Sequence, residues 1–397
     1  MSTPLQDNDI VIVSAQRTAM GGFMGALSGA SATELGASAI KGALASVNLD
    51  AGEIDEVIMG CVLPAALGQA PARQAMLKAG MEKHTGATTI NKVCGSGLKA
   101  VMLAHDLIKA GSVNSVIAGG MESMSNAPYM LPKARSGMRM GHGEVKDHMM
   151  MDGLEDAYDN LAMGCFAQST ADQYDMTREQ MDEFALNSLA KANKAIESGA
   201  FKAEITAHTI SSRKGDVTVE LDEQPGNARP DKIPSLRPAF KKDGTITAAN
   251  SSSISDGAAA LVVMSYGEAQ KQGMTPIARI SGHSTHSRLP AEFTIAPVGA
   301  MEKLLKKLDW QVDDVDLWEI NEAFAMVTML AINEMKLDAD KVNVNGGACA
   351  LGHPIGASGA RILTTLIHAL RNQGKQRGVA SLCIGGGEAV ALAIETL

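Results

Sequence analysis

The stretch INKVCGSGLKA, Ile90 to Ala100, decides how the rest of the chain is read. An apolar approach, Ala87 to Ile90, runs into Cys94, then Gly95-Ser96-Gly97, then apolar residues at helical spacing (Leu98, Val101, Met102, Ile108) that stop at Gly111. The pattern predicts a strand, a tight turn and a helix, with Cys94 at the helix N-terminus. Unpaired backbone N–H groups and the helix dipole favour a thiolate there, and the thiolate is the nucleophilic form of cysteine. Two other readings compete. A lone cysteine commonly serves as a small buried hydrophobe. Gly95 to Ala100 also fits a dinucleotide-binding fingerprint, but Val113-Asn114-Ser115 stands where its acidic partner belongs.

Outward from this turn, the chain repeats itself. Asp9 to Thr18 and Pro276 to Thr285 both read as strands ending in polar turns, and the helical segments Ser31 to Val47 and Pro297 to Leu308 follow them. Strand patterns come next in each copy, IDEVIMGCV from Ile54 and VDLWEINEA from Val315. The Cys94 turn and its helix lead to SVIAGGMES (Ser115 to Ser123), while Gly346 to Gly359 and its helix lead to ASLCIGGGEA (Ala380 to Ala389). In the second copy the last strand, Ala389 to Glu395, follows almost at once. In the first, GAAALVVMS from Gly257 arrives only after an insertion from about Met124 to Asn250. Duplicated units of alternating strand and helix predict a layered α/β fold with ligands between its halves, at the strand ends. The first half spans 1–123 and is completed by 251–274; 124–250 is an inserted loop domain; 275–397 is the second half.

Composition narrows the function. A chain of 397 residues with 45% hydrophobic and 20% charged residues is long enough for two or three domains, and no apolar run approaches a membrane span. Its N-terminus lacks the basic-then-apolar order of a signal peptide, so a cytoplasmic location is expected. Five scattered cysteines show no metal-ligand spacing, which predicts reduced thiols. The net charge of −9 argues against nucleic acid. Any anionic ligand then needs a local basic patch, for which Arg213, Lys214, Arg229, Lys232, Arg237, Lys241 and Lys242 form the densest stretch. Nine of the 24 methionines fall between Met121 and Met163, as an adaptable pocket wall or as core filler in a chain with 3% aromatic residues.

The counterpart of the Cys94 turn is NVNGGACALGHPIGASGA, Asn343 to Ala360, where His353 stands in a glycine-rich loop without apolar periodicity. His105, by contrast, lies on the apolar stripe of the helix after Cys94, about 16 Å along its axis, and reads as a buried structural histidine. Cys383 ends a strand and opens Ile384-Gly385-Gly386-Gly387, whose N–H groups suit an oxyanion hole. Asn321-Glu322-Ala323-Phe324 ends another strand of the same half.

The segments NKVCGSGLKA, GGMESMS, NEAFA, NVNGGACALGHPIGASG and CIGGG, in this order and spacing, resemble the thiolase family, and within it the short-chain biosynthetic acetyl-CoA acetyltransferases, over essentially the whole chain. The resemblance implies a duplicated, five-layered αβαβα fold, a homodimer or homotetramer, and acetyl-CoA and acetoacetyl-CoA as substrates, with no metal and no further cofactor. It makes Cys94 the acyl acceptor, His353 its activator, and Cys383 the acid and base for the α-proton. Asn321 would hold a water that stabilises the enolate oxygen together with His353. The backbone N–H groups of Cys94 and Gly385 would take the tetrahedral oxyanion. It also places Ser252 at the pantetheine and Arg229 at the adenosine phosphate, with Met163 and Phe324 as walls at the acyl end. The chain departs from the family pattern at Ala162 (usually histidine), Ser253 (glycine), Cys349 (aliphatic) and Glu388-Ala389. Glu388 would oppose thiolate formation at Cys383 if it faced the site. A β-ketoacyl synthase would not need Cys383, and a non-catalytic CoA- or lipid-binding relative would not need all four reacting positions.

Overall fold

The structure, a computed structural model, describes residues 4–211, 213 and 215–397. Its frame is nine strands: β1 (Ile10–Arg17), β2 (Glu56–Gly60), β3 (Gly86–Ile90), β4 (Ser115–Ser123) and β5 (Ser255–Ser265) in the first half, and β6 (Ala278–Ser287), β7 (Leu317–Ile320), β8 (Arg377–Ile384) and β9 (Glu388–Thr396) in the second. They run in the order β7-β8-β9-β6-β1-β5-β4-β2-β3. Within the first half β5 is antiparallel to β1 and β4, whereas β4, β2 and β3 are mutually parallel. The second half repeats this with β6, β9, β8 and β7. The counterpart of β3 has shrunk to a single bridge between Trp318 and Val342. β1 and β6 also share a bulge near the same point, between Ile12 and Ser14 and between Ile280 and Gly282. Among the described residues the halves join edge to edge where Val11 and Ile12 pair with Arg279 and Ala278.

Side chains alternate across each half-sheet, so each face needs its own cover. On the outer face of the first half, Val11, Val13, Val57 and Met59 pack under α1 (Ala32–Ala45) and α2 (Pro71–Lys78). Their inward neighbours Ile12, Ile58 and Val116 meet Ile280, Leu382 and Leu392 of the second half across α3 (Ser96–Lys109) and a long helix, Ser358–Asn372. The outer face of the second half, with Trp318, Val379 and Ala391, is covered by the helices Ala296–Leu308 and Ala325–Met335. Five layers, αβαβα, result. In chain order after α3, the longer helices are α4 (Met163–Gln173), α5 (Arg178–Ser198), α6 (Ala296–Leu308), α7 (Ala325–Met335) and α8 (Ser358–Asn372). The predicted boundaries of α1 and α3 agree with their caps: Ser31 and Glu34 form a capping box, and Gly111 has φ +74°. Among the described residues no helix is long and apolar enough to cross a membrane.

The central layer sets the geometry of the site. Helix α8 is buried from Ser358 through Leu370, as a helix sandwiched on every side must be. It crosses α3 at glycines: a Cβ on Gly97 would lie 2.7 Å from the backbone nitrogen of Ala360, and one on Gly359 would strike the backbone nitrogen of Leu98. The segment 124–250 is fastened to this frame by Arg17 at the end of β1. Its fully buried guanidinium binds Glu204 at 2.6 Å and Asp222 through two contacts of 2.7 and 2.9 Å, and it stacks over Phe201.

Gly359→Ala should therefore force the two central helices apart, at a cost of about 1–3 kcal/mol or more. Gly226→Ala, with nothing within 4 Å of the new methyl, should change stability by less than about 0.5 kcal/mol. Denaturant unfolding of the two variants checks this, and equal effects would contradict it.

Candidate active site

Strand ends and helix starts from both halves meet in one cavity of about 430 Å³. Cys94 follows β3 and is held by a strained turn. Val93, β-branched, has φ +46°, a conformation that persists only where its surroundings impose it. Ser96 does so, accepting from Lys92 N at 2.8 Å and donating to Val93 O at 2.7 Å. Cys383 comes from the end of β8, and His353 from the loop before α8. Asn321 follows β7, buried behind His353. Cys94, His353, Cys383 and Gly385 line the cavity, as do Met163, Phe324 and Ser252.

Electrostatics in this apolar enclosure differ from the expectation of a resting thiolate at Cys94. Burial pushes the Cys94 thiol up to about 11, although the N–H groups of Gly385 and of Cys94 itself point at the sulfur. Desolvation of the charged form outweighs these donors. Cys383 is raised well above the ordinary thiol range, by burial first and by Cys94 second, and both cysteines line the same cavity. Burial, then the Arg361 guanidinium, holds His353 down to about 3. The resting site is thus a pair of thiols beside a neutral imidazole.

The imidazole is aimed by a residue that sequence reasoning missed. Ser358 Oγ lies 2.5 Å from His353 Nδ1 and 2.9 Å from Pro354 O. When the hydroxyl donates to Pro354 O, Nδ1–H donates to Ser358 and Nε2 is left as a bare acceptor. Nε2 is buried and has no hydrogen-bond partner among the described residues, and the same holds for Asn321 Oδ1. Buried orphans of this kind mark places where a ligand or water is received. Glu122 was also missed. Its buried carboxylate accepts from Val62 N, Leu63 N and Gly356 N at 3.0, 3.1 and 2.9 Å, tying the loop after β2 to the loop of His353, and burial raises it to about 7. Glu322 does the same behind Asn321, accepting from Ser188, Asn343 and Cys349 N. GGMES and NEAFA contained both residues, but nothing in a sequence shows which N–H groups a carboxylate will meet.

The remaining candidate residues separate. Phe324 stands edge-on to Phe240 and Phe293, which also line the cavity, so three of the chain's seven phenylalanines form one wall. Ala162 lines the cavity beside Met163. Met124 and Met150 line it too, whereas Met140 is fully exposed, so the methionine-rich stretch is only partly pocket wall. Ser253 lines the cavity and its carbonyl accepts from His353 N at 3.1 Å; Cys349 lies outside, against Glu322. Glu388 does not face Cys383: it pairs with Lys92 at 2.5 Å and accepts from Ser287 at 3.2 Å. Arg229 is exposed and absent from the cavity wall, as are Arg213, Lys232, Arg237, Lys241 and Lys242; Lys214 lies outside the described residues. Lys241 and Lys242 follow Phe240 at the cavity rim, and Lys241 pairs with Asp172 at 2.7 Å. His105 is not the buried core histidine expected: its ring turns toward Asp106 and His283 at a polar edge of α3.

Comparison with known proteins gives a consistent picture. Residues 10–267 match the family described as thiolase, N-terminal domain, and residues 274–396 the one described as thiolase, C-terminal domain. An acetyl-CoA acetyltransferase of Escherichia coli (strain K12) is 51% identical, covering 98% of this chain and 99% of that protein. One of Cupriavidus necator is 50% identical with the same coverage. The crystal structure of the Bacillus anthracis acetyl-CoA acetyltransferase superposes with a TM-score of 0.96 at 43% identity, covering 98% of this chain and 99% of that one. An Ascaris suum thiolase in complex with coenzyme A does so with a TM-score of 0.93 at 42% identity, covering 98% and 100%.

The raised Cys94 thiol has a measurable consequence in the empty enzyme. Below a pKa of about 11 the thiolate fraction rises tenfold per pH unit, so iodoacetamide alkylation of Cys94, followed by peptide mapping, should keep accelerating through pH 9 and 10. A plateau at or below about 8.5, the value of a free cysteine, would mean that the proton already rests on His353.

Proposed function

The chain belongs to the thiolase family, and from that premise we propose that it is an acetyl-CoA C-acetyltransferase, which condenses two acetyl-CoA reversibly to acetoacetyl-CoA and CoA and thiolyses short 3-ketoacyl-CoA. The observation that carries this reading is the meeting of two thiols and a neutral imidazole in one apolar cavity, with backbone N–H groups at one sulfur. A single cysteine cannot be acylated and serve as base in the same turnover, so the second sulfur is what condensation requires.

In the first half-reaction Cys94 Sγ attacks the thioester carbonyl while its proton passes to His353 Nε2. The N–H groups of Cys94 and Gly385 receive the oxyanion, and CoA leaves with the proton from His353. This is covalent catalysis, with the proton moving as the bond forms rather than beforehand. In the second, the Cys383 thiol passes its proton to His353 Nε2 and the resulting thiolate takes an α-proton from a new acetyl-CoA. The proton from Cys383 supplies the hydrogen on Nε2, while Nδ1–H stays on Ser358 throughout. The enolate oxygen is met by His353 Nε2–H and by a water held on Asn321 Oδ1; the α-carbon attacks the acetyl carbonyl on Cys94, the C–S bond breaks, and the departing Cys94 thiolate takes the proton back from Nε2. Bonds and protons balance with thiols and imidazole alone, so the scheme requires no metal and no redox cofactor.

Met163 and the Phe324 wall close the acyl end against long chains. Ser252, whose N–H donates to Ala323 O at 3.0 Å, would touch the pantetheine, and Arg229 the adenosine phosphate, from an exposed loop outside the cavity. A homodimer or homotetramer in the cytoplasm is the assembly we assign. It is supported by β3, an open sheet edge of the kind other chains pair with, and by the hairpin of Tyr129–Met130 and Lys146–Asp147, around which Tyr129, Met140 and Val145 stand exposed.

Separating the two sulfurs tests the scheme. Cys383→Ser should still be acylated by acetyl-CoA, releasing one CoA per site, yet lose condensation and the exchange of acyl α-protons with deuterium; loss of a positioned acid or base costs about 10²- to 10⁴-fold. Cys94→Ser should lose acylation and retain some exchange. A Cys383→Ser enzyme that exchanges α-protons at the wild-type rate would assign the base elsewhere.

A further inference from the structure

Three side chains that this chemistry does not use converge where the two halves meet. His105 and Asp106 are neighbours on α3, in the first half; His283 is on β6, in the second. Asp106 Oδ1 lies 3.0 Å from His105 Nδ1 and 2.8 Å from His283 Nε2, and the two rings meet edge to face with centroids 5.0 Å apart. The side chains of His105 and His283 are 18% and 13% exposed, while that of Asp106 is 52% exposed. The cluster is thus walled by protein on one side and open to solvent on the other.

We propose that His105, Asp106 and His283 form a site for a divalent transition-metal ion of the zinc or cobalt kind, stapling α3 of the first half to β6 of the second. One donor atom from each residue lies within 4.8 Å of the others. Donors around a tetrahedral ion with bonds of about 2.0–2.1 Å stand about 3.3 Å apart, so the two short separations need to open by only about half an ångström. Two imidazoles with one carboxylate suit a borderline ion rather than calcium or magnesium, which take oxygen ligands. The open side leaves room for water as a further ligand.

Proton accounting is favourable. A neutral imidazole that offers its N–H to Asp106 can move that hydrogen to its far nitrogen when the ion takes its place, so the proton need not be lost. Lys307, whose Nζ lies 3.4 Å from His283 O, is the opposing charge at the site and weakens it. Cysteine and histidine spacing along the chain gave no hint of the cluster, because Asp106 and His283 are 177 residues apart.

The test uses full-length protein stripped of metal with a chelator and with its thiols alkylated by iodoacetamide, so that cysteine does not compete. Titration with zinc chloride should show one ion per chain by calorimetry and raise the melting temperature, and cobalt chloride should give the visible absorption of a low-symmetry site. Losing even a partner of a metal ligand costs about 10- to 100-fold in affinity, so His283→Asn and His105→Gln should each weaken zinc at least that much and abolish the thermal shift. Their metal-free activity before alkylation should match the wild type. If His283→Asn is poorly folded, His105→Gln reports alone. Absence of zinc binding to the wild type, or unchanged affinity in the variants, would overturn the proposal.

Discussion

The crossing of α3 and α8 at Gly97 and Gly359 is the constraint on which the rest of the structure depends. Each helix begins at a loop that carries a reacting group, Cys94 before α3 and His353 before α8, and the helices touch backbone to backbone. Ordinary helix packing keeps axes 8–10 Å apart because side chains intervene. Here two positions have none, and the two loops are drawn into one cavity. Gly120 and Gly356 continue the same close approach, since a Cβ on either would enter the other segment or the Glu122 carboxylate.

Close approach has an electrostatic price, which determines how the chemistry can run. An apolar cavity disfavours every charged form, so Cys94 and Cys383 rest as thiols and His353 as a neutral base. Charge then appears only as bonds form, and the groups that meet it are already in place: the Gly385 N–H donor at the sulfur, Nε2 of an imidazole oriented by Ser358 as the proton acceptor, and Asn321 Oδ1 as the acceptor that holds a donating water. Such preorganised donors are worth more in a dry site than in water. The ionised groups of the interior sit one layer back. Arg17 with Glu204 and Asp222 clamps the inserted segment to β1, so the wall carrying Met163 and Phe240 is held against a rigid frame.

Much was legible in the chain itself. The order of strand and helix in the two copies, the insertion, and Cys94, His353, Cys383 and Asn321 as a set all stood in local patterns: apolar periodicity, glycine turns, strand ends. Local patterns report what a residue's near neighbours impose, and the backbone obeyed them almost to the residue, as at Ser31 and Gly111. What they do not report is where a side chain points once two distant segments meet. Hence Glu388 turned to Lys92 rather than to the site, and His105 turned to His283 rather than into the core.

By itself, then, the sequence determined the duplicated architecture and which residues have the chemistry to react, because both follow from periodicity and from the functional groups present. Only the tertiary structure decided their protonation, their partners and their surroundings. The Cys94 turn reads as a thiolate site when only its helix is considered, and becomes a thiol site once the cavity closes over it, because desolvation depends on every wall at once. Ser358, Glu122 and Phe240 owe their places to contacts across the fold, and burial and hydrogen bonding between distant segments are properties of the folded chain.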